Sequence, residues 1–291
     1  MESFDYFEAQ SVEEVIAVLN KGENKSRIIA GGTDILLHVR AGLISPNCLV
    51  SIKQIESLKG IIKKDDGRIE IGAATNLTNV EQSELLHLNY QLIADAARSI
   101  GSRQIRNLAT IGGNNCSAVP SADTAPALLA SEAEVRIQSS LGFREMPLSD
   151  FFVGPKTTIL DHDSLLLNFS LPKVMENTGS VYMRFCPRGA MNLPIVSVAV
   201  LIALESDLFH IKKSRVALGG VAKVPLRALE TESILEGQII SQELINLASN
   251  ATASSINPIS DHRATKEFRY RLAKELTARS ILKAIQRAKV E

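Results

Sequence analysis

The sequence predicts an α+β protein of two domains, and three observations support this prediction. The chain has 291 residues, enough for two domains of ordinary size. Up to residue 172, short strand patterns alternate with helix-capping signals, as expected for mixed helix and sheet. After residue 180, three longer strand patterns follow one another, and only helices come after them. We therefore expect a boundary within the polar stretch 173–180 and domains at 1–175 and 176–291.

Composition and charge exclude several classes of function. Hydrophobic residues make up 45% and charged residues 22% of the chain, which is typical of a soluble globular protein. The 32 basic residues equal the 32 acidic ones and only 4% of residues are aromatic, so we expect no nucleic-acid partner. No apolar run approaches the roughly 20 residues of a membrane helix, and the acidic start lacks a signal-peptide pattern. We therefore expect no membrane span.

The three cysteines, Cys48, Cys116 and Cys186, lie far apart in the sequence. Their spacing matches no metal-binding or iron–sulfur motif. An odd number of scattered cysteines favours a reducing compartment. We expect a cytoplasmic protein with neither a metal site nor a cluster in this chain.

The first 55 residues predict a helix followed by a βαβ unit. Ser11 and Glu14 form a capping box, which predicts a helix that begins there and ends at Gly22. The βαβ unit comprises a strand over 27–30, the pair Gly31-Gly32, a helix over 34–41 closed by Gly42, and a strand over 47–52.

Residues 56–175 predict further strands and helices around one long loop. An alternating pattern predicts a strand over 67–75, and Thr78 with Glu81 indicates a capping box, followed by a helix over 89–100. Residues 101–130 are rich in Gly, Ser and Asn and predict a functional loop, near whose end Asp123 begins a helix. A hairpin turning at Leu141-Gly142 and a strand over 164–172 complete this part.

The remaining residues predict a sheet covered by helices. Strands are expected over 181–187, 195–204 and 211–219, and helices over 230–236, 241–254 and 264–288. The last helix is basic, which indicates a solvated face or, alternatively, a docking surface for a partner subunit.

The pair Gly31-Gly32 lies where a strand gives way to a helix. Glycine lets the backbone approach another group closely, and the N–H groups that begin a helix lack partners within it. The junction therefore has the features of a phosphate-binding turn. A packing role for both glycines remains an equally good interpretation.

A second pair, Gly112-Gly113, repeats this pattern after Thr110. The two turns can converge on one diphosphate if their strands lie side by side, with Thr33 and Thr110 as hydroxyl donors and Asn114 as an amide donor. Asn114 is alternatively a turn residue. An anion would repel a diphosphate, so we expect Asp123 to bind a sugar hydroxyl or a base amino group, or else only to cap its helix.

These motifs carry a resemblance to a known family. "AGGTD" at 30–34, followed by "RNLATIGGNNCSAVPSADTAPALL" at 106–129, is similar to the FAD-binding subunits of the molybdenum-containing hydroxylases. This family includes xanthine, nicotinate and carbon monoxide dehydrogenases. The resemblance extends over nearly the whole chain, and "IGSRQIRNLATIGGN" is most similar to the bacterial xanthine dehydrogenase branch.

The resemblance implies a fold and a set of cofactor-binding residues. The fold would be a vanillyl-alcohol-oxidase-type (PCMH-type) FAD-binding fold of two α/β subdomains, at about 1–55 and 56–175. A C-terminal domain with a three-stranded antiparallel sheet and helices would follow. The residues carried over to FAD are Ile29, Ala30, Gly31, Gly32, Thr33, Asp34 and Ile35 for the pyrophosphate, with Thr110, Gly113 and Asn114 completing that cradle; Asp123 for the ribose; Ile100 and Gly101 for the flavin side; and Leu166 near the ring or adenine. A lysine that often approaches FAD in the family corresponds to Arg184, which keeps the charge but changes its geometry.

The resemblance also implies a function. The chain would be an electron-transfer flavoprotein, to which a small partner subunit passes electrons from [2Fe–2S] clusters, and FAD would deliver them to NAD⁺ or another acceptor. A large partner subunit with molybdopterin would hydroxylate the substrate. Because the flavin carries the chemistry, we expect no catalytic residue in this chain. Two alternatives are a self-contained FAD-dependent reductase similar to enolpyruvyl-sugar reductases, and a flavin-free assembly subunit.

Overall fold

The computed structural model describes residues 3–21, 25–188 and 191–290. Its first part is a small parallel sheet with two helices. The elements are β1 (Asp5–Glu8), α1 (Val12–Lys21), β2 (Ser26–Ile29), α2 (Ile35–Arg40) and β3 (Cys48–Ser51), and the strand order is β1-β3-β2. The predicted βαβ unit is confirmed. β1 escaped prediction because all four of its side chains are exposed and give no alternating pattern.

Side chains cap the first helix as predicted. The Glu14 N–H donates to Ser11 Oγ over 3.2 Å, and the Glu14 carboxylate accepts from the N–H of Gln10 over 2.8 Å. The predicted end at Gly22 lies outside the described residues.

The second part is an antiparallel sheet whose inner face is covered by helices. Its elements are β4 (Ile61–Lys63), β5 (Ile69–Gly72), α3 (Leu77–Gln82), α4 (Glu84–Asn89), α5 (Gln91–Ser99), α6 (Arg103–Leu108), α7 (Ile111–Cys116), α8 (Thr124–Ala130), β6 (Glu134–Ser139), β7 (Gly142–Pro147), β8 (Phe152–Gly154), β9 (Thr157–Thr158) and β10 (Leu165–Leu171). The strand order is β4-β5-β10-β6-β7, with β8 and β9 paired separately. The core lies between this sheet and helices α3, α5 and α8.

Three predictions for this part differ from the structure. Helix α3 is capped by Asn76, whose Oδ1 accepts from the Asn79 N–H over 2.8 Å, whereas Thr78 lies inside the helix. The segment 101–130 is not one loop, because it contains α6, α7 and the start of α8. These helices of six or seven residues are too short to show a helical period. The hairpin turns at 140–141, one residue earlier than predicted, because Ser139 pairs with Gly142.

The third part is an antiparallel sheet backed by a long helix. Its elements are β11 (Thr178–Phe185), β12 (Val196–Leu204), β13 (Ile211–Gly219), β14 (Leu226–Arg227), α9 (Leu229–Leu235), α10 (Gln242–Ser255) and α11 (Lys266–Ala288). The three predicted strands are confirmed, and the two-residue β14 adds to their edge. All nine residues of β12 are buried, because α11 covers one face of the sheet and α8 packs against the other. This double cover explains the long apolar run in the sequence.

Candidate functional site

The first glycine pair forms a turn with unused backbone donors. Gly32 has a φ of +74°, a conformation that favours glycine, while Gly31 makes a close approach to another segment. The backbone N–H groups of residues 31–35 have no acceptor among the described residues, and the first N–H after them, that of Leu36, donates to Gly32 O over 3.3 Å. The turn thus presents a short run of free donors, which suits an anion.

The two glycine motifs meet through the segment 108–110. A Cβ on Gly31 would lie 2.1 Å from the carbonyl oxygen of Leu108 and 2.8 Å from Cα of Ala109, so only glycine allows this approach. The strands before the two turns do not lie side by side, so the condition set for their convergence on one diphosphate is not met in that form. β2 belongs to the three-stranded sheet, whereas Thr110 follows α6 and forms only an isolated bridge with Asn76.

In the second motif, both glycine N–H groups already have acceptors within the protein. The N–H of Gly112 donates to Ala73 O over 2.8 Å, and the N–H of Gly113 donates to Thr110 Oγ1 over 3.0 Å. A Cβ on Gly112 would lie 2.5 Å from Ala73 O, so this glycine serves packing. The second motif therefore fixes the wall on which the first turn rests, and the free donors belong to the first turn.

Asn114 takes the capping role that was one of the two expected of Asp123. Asn114 Oδ1 accepts from the N–H of Thr124 over 3.3 Å and from its hydroxyl, so it caps α8. Asp123 makes no side-chain capping bond. The prediction that Asp123 caps its helix is therefore wrong, and its carboxylate is used elsewhere.

Asp123 is the centre of a buried polar cluster. Its Oδ1 accepts from Tyr182 Oη over 2.7 Å, Arg184 Nη1 over 3.0 Å and Ser99 Oγ over 3.2 Å. Asp123 is only 4% exposed. Burial raises the pKa of Asp123, while the hydrogen bonds and the Arg184 charge oppose that rise.

Most residues predicted from the sequence lie along one connected path. Gly31 approaches Leu108 and Ala109, which directly precede Thr110, and Asn114 binds Thr124, the neighbour of Asp123, which in turn binds Arg184. Ile100 and Gly101 directly follow Ser99 of the cluster, and Ile100 O accepts from Arg106 Nη1 over 3.1 Å. Leu166 is a core residue of β10, 3% exposed, and takes part in none of these contacts.

A cavity of about 330 Å³ lies beside the meeting point of the two motifs. Its lining includes Ala30, Lys53, Asn76, Leu108 and Thr110. It lies between the three-stranded sheet and the helices of the second part, and its volume is at the lower end of the range for small-molecule pockets, about 300–1,000 Å³.

Sequence reasoning missed Ser99, Tyr182 and Asn76. Tyr182 had a usable signal, because residues two apart on a strand share a face and Arg184 was already a candidate. Ser99 had none, since a serine at the end of a helix is common. Among the described residues, no group of three or more His, Cys, Asp and Glu side chains could hold a metal ion. Nor is any helix of the described chain long and apolar enough to cross a membrane.

Comparison with known proteins gives two family matches. The model described as the FAD binding domain in molybdopterin dehydrogenase matches residues 2–174, and that of the CO dehydrogenase flavoprotein C-terminal domain matches residues 181–284.

Individual relatives match over nearly their whole length. The xanthine dehydrogenase FAD-binding subunit of Escherichia coli O157:H7 is 30% identical, with 97% of this chain and 96% of that protein covered. The glyceraldehyde dehydrogenase medium chain of Sulfolobus acidocaldarius is 30% identical over 95% and 96%. A chain of carbon monoxide dehydrogenase from Hydrogenophaga pseudoflava superposes with a TM-score of 0.94, at 26% identity over 98% of both chains.

Proposed function

We propose a function on the premise that this chain belongs to the family of FAD-binding subunits of molybdopterin dehydrogenases. The proposal is that it passes electrons through FAD within a complex of three kinds of subunit. It is an oxidoreductase subunit of the xanthine and carbon monoxide dehydrogenase type. The finer proposal is that electrons enter from [2Fe–2S] clusters on a small subunit and leave to NAD⁺ or another acceptor.

The free N–H groups of residues 31–35 are the observation that carries the proposal. They would hold the diphosphate of FAD, with Ile29 and Ala30 forming the strand end that leads into the turn. Successive backbone N–H groups without acceptors at a glycine turn form an arrangement that binds anions, which supports a diphosphate ligand here. Asp34 fits this role through its N–H alone, because its side chain is exposed and can point its charge into solvent.

The remaining residues would order the site around that turn. Thr110, Gly113 and Asn114 keep the opposing wall in place, and Asp123 and Arg184 would face the sugar or the flavin side beyond Ile100 and Gly101. Leu166 would contribute only through the packing of β10. When bound, FAD would supply the ability to accept single electrons and to deliver two together. The work of this chain is to bind, orient and shield it.

The partners and the location belong to the same proposal. Relatives bear the names medium chain and FAD-binding subunit, which indicates complexes with other chains. We infer a large subunit with molybdopterin and a small one with [2Fe–2S] clusters. The three cysteines are free, as suits a protein of the cytoplasm.

The experiment has two steps on the same preparation. Acid precipitation of the purified chain should release FAD, and not FMN, into the supernatant. No linkage is expected, because burial raises the pKa of Cys116, the cysteine beside the second motif, to about 12 and keeps it a neutral thiol. Stopped-flow absorbance then follows the flavin with xanthine, hypoxanthine or nicotinate present.

The isolated chain should show no rapid flavin reduction by these substrates. Adding the molybdenum and iron–sulfur subunits should restore reduction of the flavin by a substrate, followed by reduction of NAD⁺. Rapid reduction by an organic substrate in the isolated chain would contradict the proposal and favour a self-contained reductase. Release of FMN, or flavin left on the pellet, would contradict the diphosphate role of the turn.

A further inference from the structure

The Asp123 carboxylate is used on one side only. Its Oδ1 takes all three donors, from Tyr182, Arg184 and Ser99, whereas Oδ2 accepts no hydrogen bond from the described residues. The side chain keeps 6% of its accessible surface. Such an arrangement fixes the plane of the carboxylate and leaves its second oxygen free to accept from a ligand.

Arg184 is used on one side as well. Its Nη1 donates to Asp123 Oδ1 over 3.0 Å and to Asn192 O over 3.4 Å, while Nε and Nη2 have no acceptor within the described ranges. The side chain is 16% exposed. A free acceptor therefore lies beside a free cationic donor edge, a combination that matches neighbouring hydroxyl and carbonyl groups.

Three separate segments contribute to this junction. Ser99 ends α5 and directly precedes Ile100 and Gly101, Asp123 precedes α8, and Tyr182 lies on β11 of the third part. The Oδ1 contacts thus tie β11 to the segment proposed for the flavin side. Because the three donors share one oxygen, we expect a substitution at one of them to shift the carboxylate and the other two.

Packing alone does not explain a tyrosine at position 182. The residue is 8% exposed, and its hydroxyl donates to Asp123. Burying a hydroxyl costs free energy, and a phenylalanine would fill the same space without that cost. Burial and the nearby carboxylate raise the pKa of Tyr182 well above its ordinary value, so the hydroxyl remains a donor at neutral pH.

We propose that Tyr182, assisted by Ser99, is a positioning residue of the cofactor site. It holds the Asp123 carboxylate so that Oδ2 and the free edge of Arg184 face the sugar-and-ring half of FAD. This inference rests on the proposed function, because it assumes that FAD binds at the first glycine turn.

The test is titration of the FAD-free full-length chain with FAD, read by flavin fluorescence, for Tyr182→Phe. The variant keeps the ring and loses one of the three donors. We expect the dissociation constant at pH 7.5 to rise about tenfold, which corresponds to about 1.4 kcal/mol. The midpoint potential of the bound flavin should also shift, since the charges beside it become less well ordered.

The pH dependence of FAD affinity separates positioning from a general loss of structure. The titratable groups that face Asp123 are Arg184 and Tyr182 on β11 and Cys186 just after it, while α5 contributes only the hydroxyl of Ser99. Losing the Tyr182 donor removes an interaction that favours the ionised carboxylate, so the pKa of Asp123 rises further. The acid-side loss of affinity should therefore begin at a higher pH in the variant than in the wild type.

Tyr90→Phe is the matched control. Tyr90 is 2% exposed, and its hydroxyl donates to Pro172 O over 2.6 Å, away from the cluster. It should lower the melting temperature while leaving FAD affinity and the acid limb unchanged. If Tyr182→Phe does not fold, Ser99→Ala serves as the second variant. We expect it to lower FAD affinity as Tyr182→Phe would, but by a smaller amount.

The outcomes are distinguishable. The positioning role would be overturned if folded Tyr182→Phe kept the FAD affinity, flavin potential and pH dependence of the wild type. If Tyr182→Phe does not fold, the same result in Ser99→Ala would overturn it. In both cases the proposal that the chain binds FAD would stand. Equal effects of Tyr90→Phe and Tyr182→Phe would also overturn the positioning role. A wild-type chain that binds no FAD would overturn both this inference and the proposed function.

Discussion

At the scale of single residues, the first glycine pair shows two separate reasons for glycine. Gly32 adopts a φ of +74°, whereas Gly31 has no room for a Cβ against Leu108. The sequence analysis left phosphate binding and packing equally open for this pair. The choice depends on a contact with a segment far along the chain, which no local pattern reports. The structure assigns packing to Gly31, while the N–H groups of residues 31–35 have no acceptor among the described residues.

We expect Gly31→Ala to destabilise the chain even without FAD. The added Cβ would meet backbone atoms of Leu108, which cannot turn aside as a side chain can, so the two motifs must separate. Overpacking of this kind costs about 1–3 kcal/mol of unfolding free energy. Urea unfolding of the FAD-free chain measures it. Gly154→Ala is the control, because its Cβ would only touch Thr157 at 3.9 Å, and equal stability of the two variants would contradict the close approach.

Asp123 shows the limit of residue-level prediction. The sequence offered two roles, a cap for its own helix and a ligand for a hydroxyl group, and the first is wrong. The cap went to Asn114, and the carboxylate turned to Tyr182 and Arg184. Local spacing made Asp123 a good cap, but a buried carboxylate gains more from a guanidinium and a phenol than from one backbone N–H.

At the scale of elements, long regular segments were predictable and short ones were not. The apolar run of β12 and the helical spacing of apolar residues in α11 predicted these two elements, because each pattern spans many residues. Helices α6 and α7 have six residues each and no helical period that composition would reveal. Their caps, Ser102 and Thr110, were the available signal, since each accepts from the N–H three residues on.

Helix α3 gives an element-scale prediction. The sequence analysis predicted Thr78 as the cap, whereas the structure uses Asn76, and the Leu77 N–H donates to Ala109 O over 2.9 Å. We expect Asn76→Ala to lower the unfolding free energy by about 1 kcal/mol, with a range of about 0.5–2. Asn76→Ser, which keeps an acceptor, should recover most of the loss. Thermal unfolding of the FAD-free chain measures both, and an equal loss in Ser and Ala would show that the cap is not the cause.

At the scale of the whole molecule, the parts are joined by contacts between residues distant in sequence. β10 belongs to the five-stranded sheet and β11 to the four-stranded one, and α8 packs against the latter. Composition and element order predicted that such parts exist. They could not predict how the parts meet, because each contact joins segments tens of residues apart. Glu132, between α8 and β6, is the clearest case.

Glu132 joins the second part to the third through ion pairs. Its Oε1 accepts from Arg215 Nε over 2.6 Å, and its Oε2 accepts from Lys213 Nζ, both on β13. Burial alone would raise the pKa of Glu132, but the hydrogen bonds and charges of Lys213 and Arg215 outweigh burial and lower it. The carboxylate is thus more stable in the folded chain than in the unfolded one.

The pH dependence of unfolding should therefore reveal this junction. A carboxyl group whose pKa is lower in the folded than in the unfolded chain stabilises the fold at every pH above its unfolded pKa, which is about 4.3 for glutamate. This stabilisation is lost as the pH falls through the pKa of the folded state. Glu132→Gln should be less stable than the wild type at pH 7, with the difference shrinking steadily below about pH 4.5. Urea unfolding at a series of pH values measures it. Glu8→Gln removes an exposed carboxylate from β1 and should leave the profile nearly unchanged. A constant difference between Glu132→Gln and wild type at every pH would mean that the ion pairs with β13 do not stabilise the meeting of the two parts.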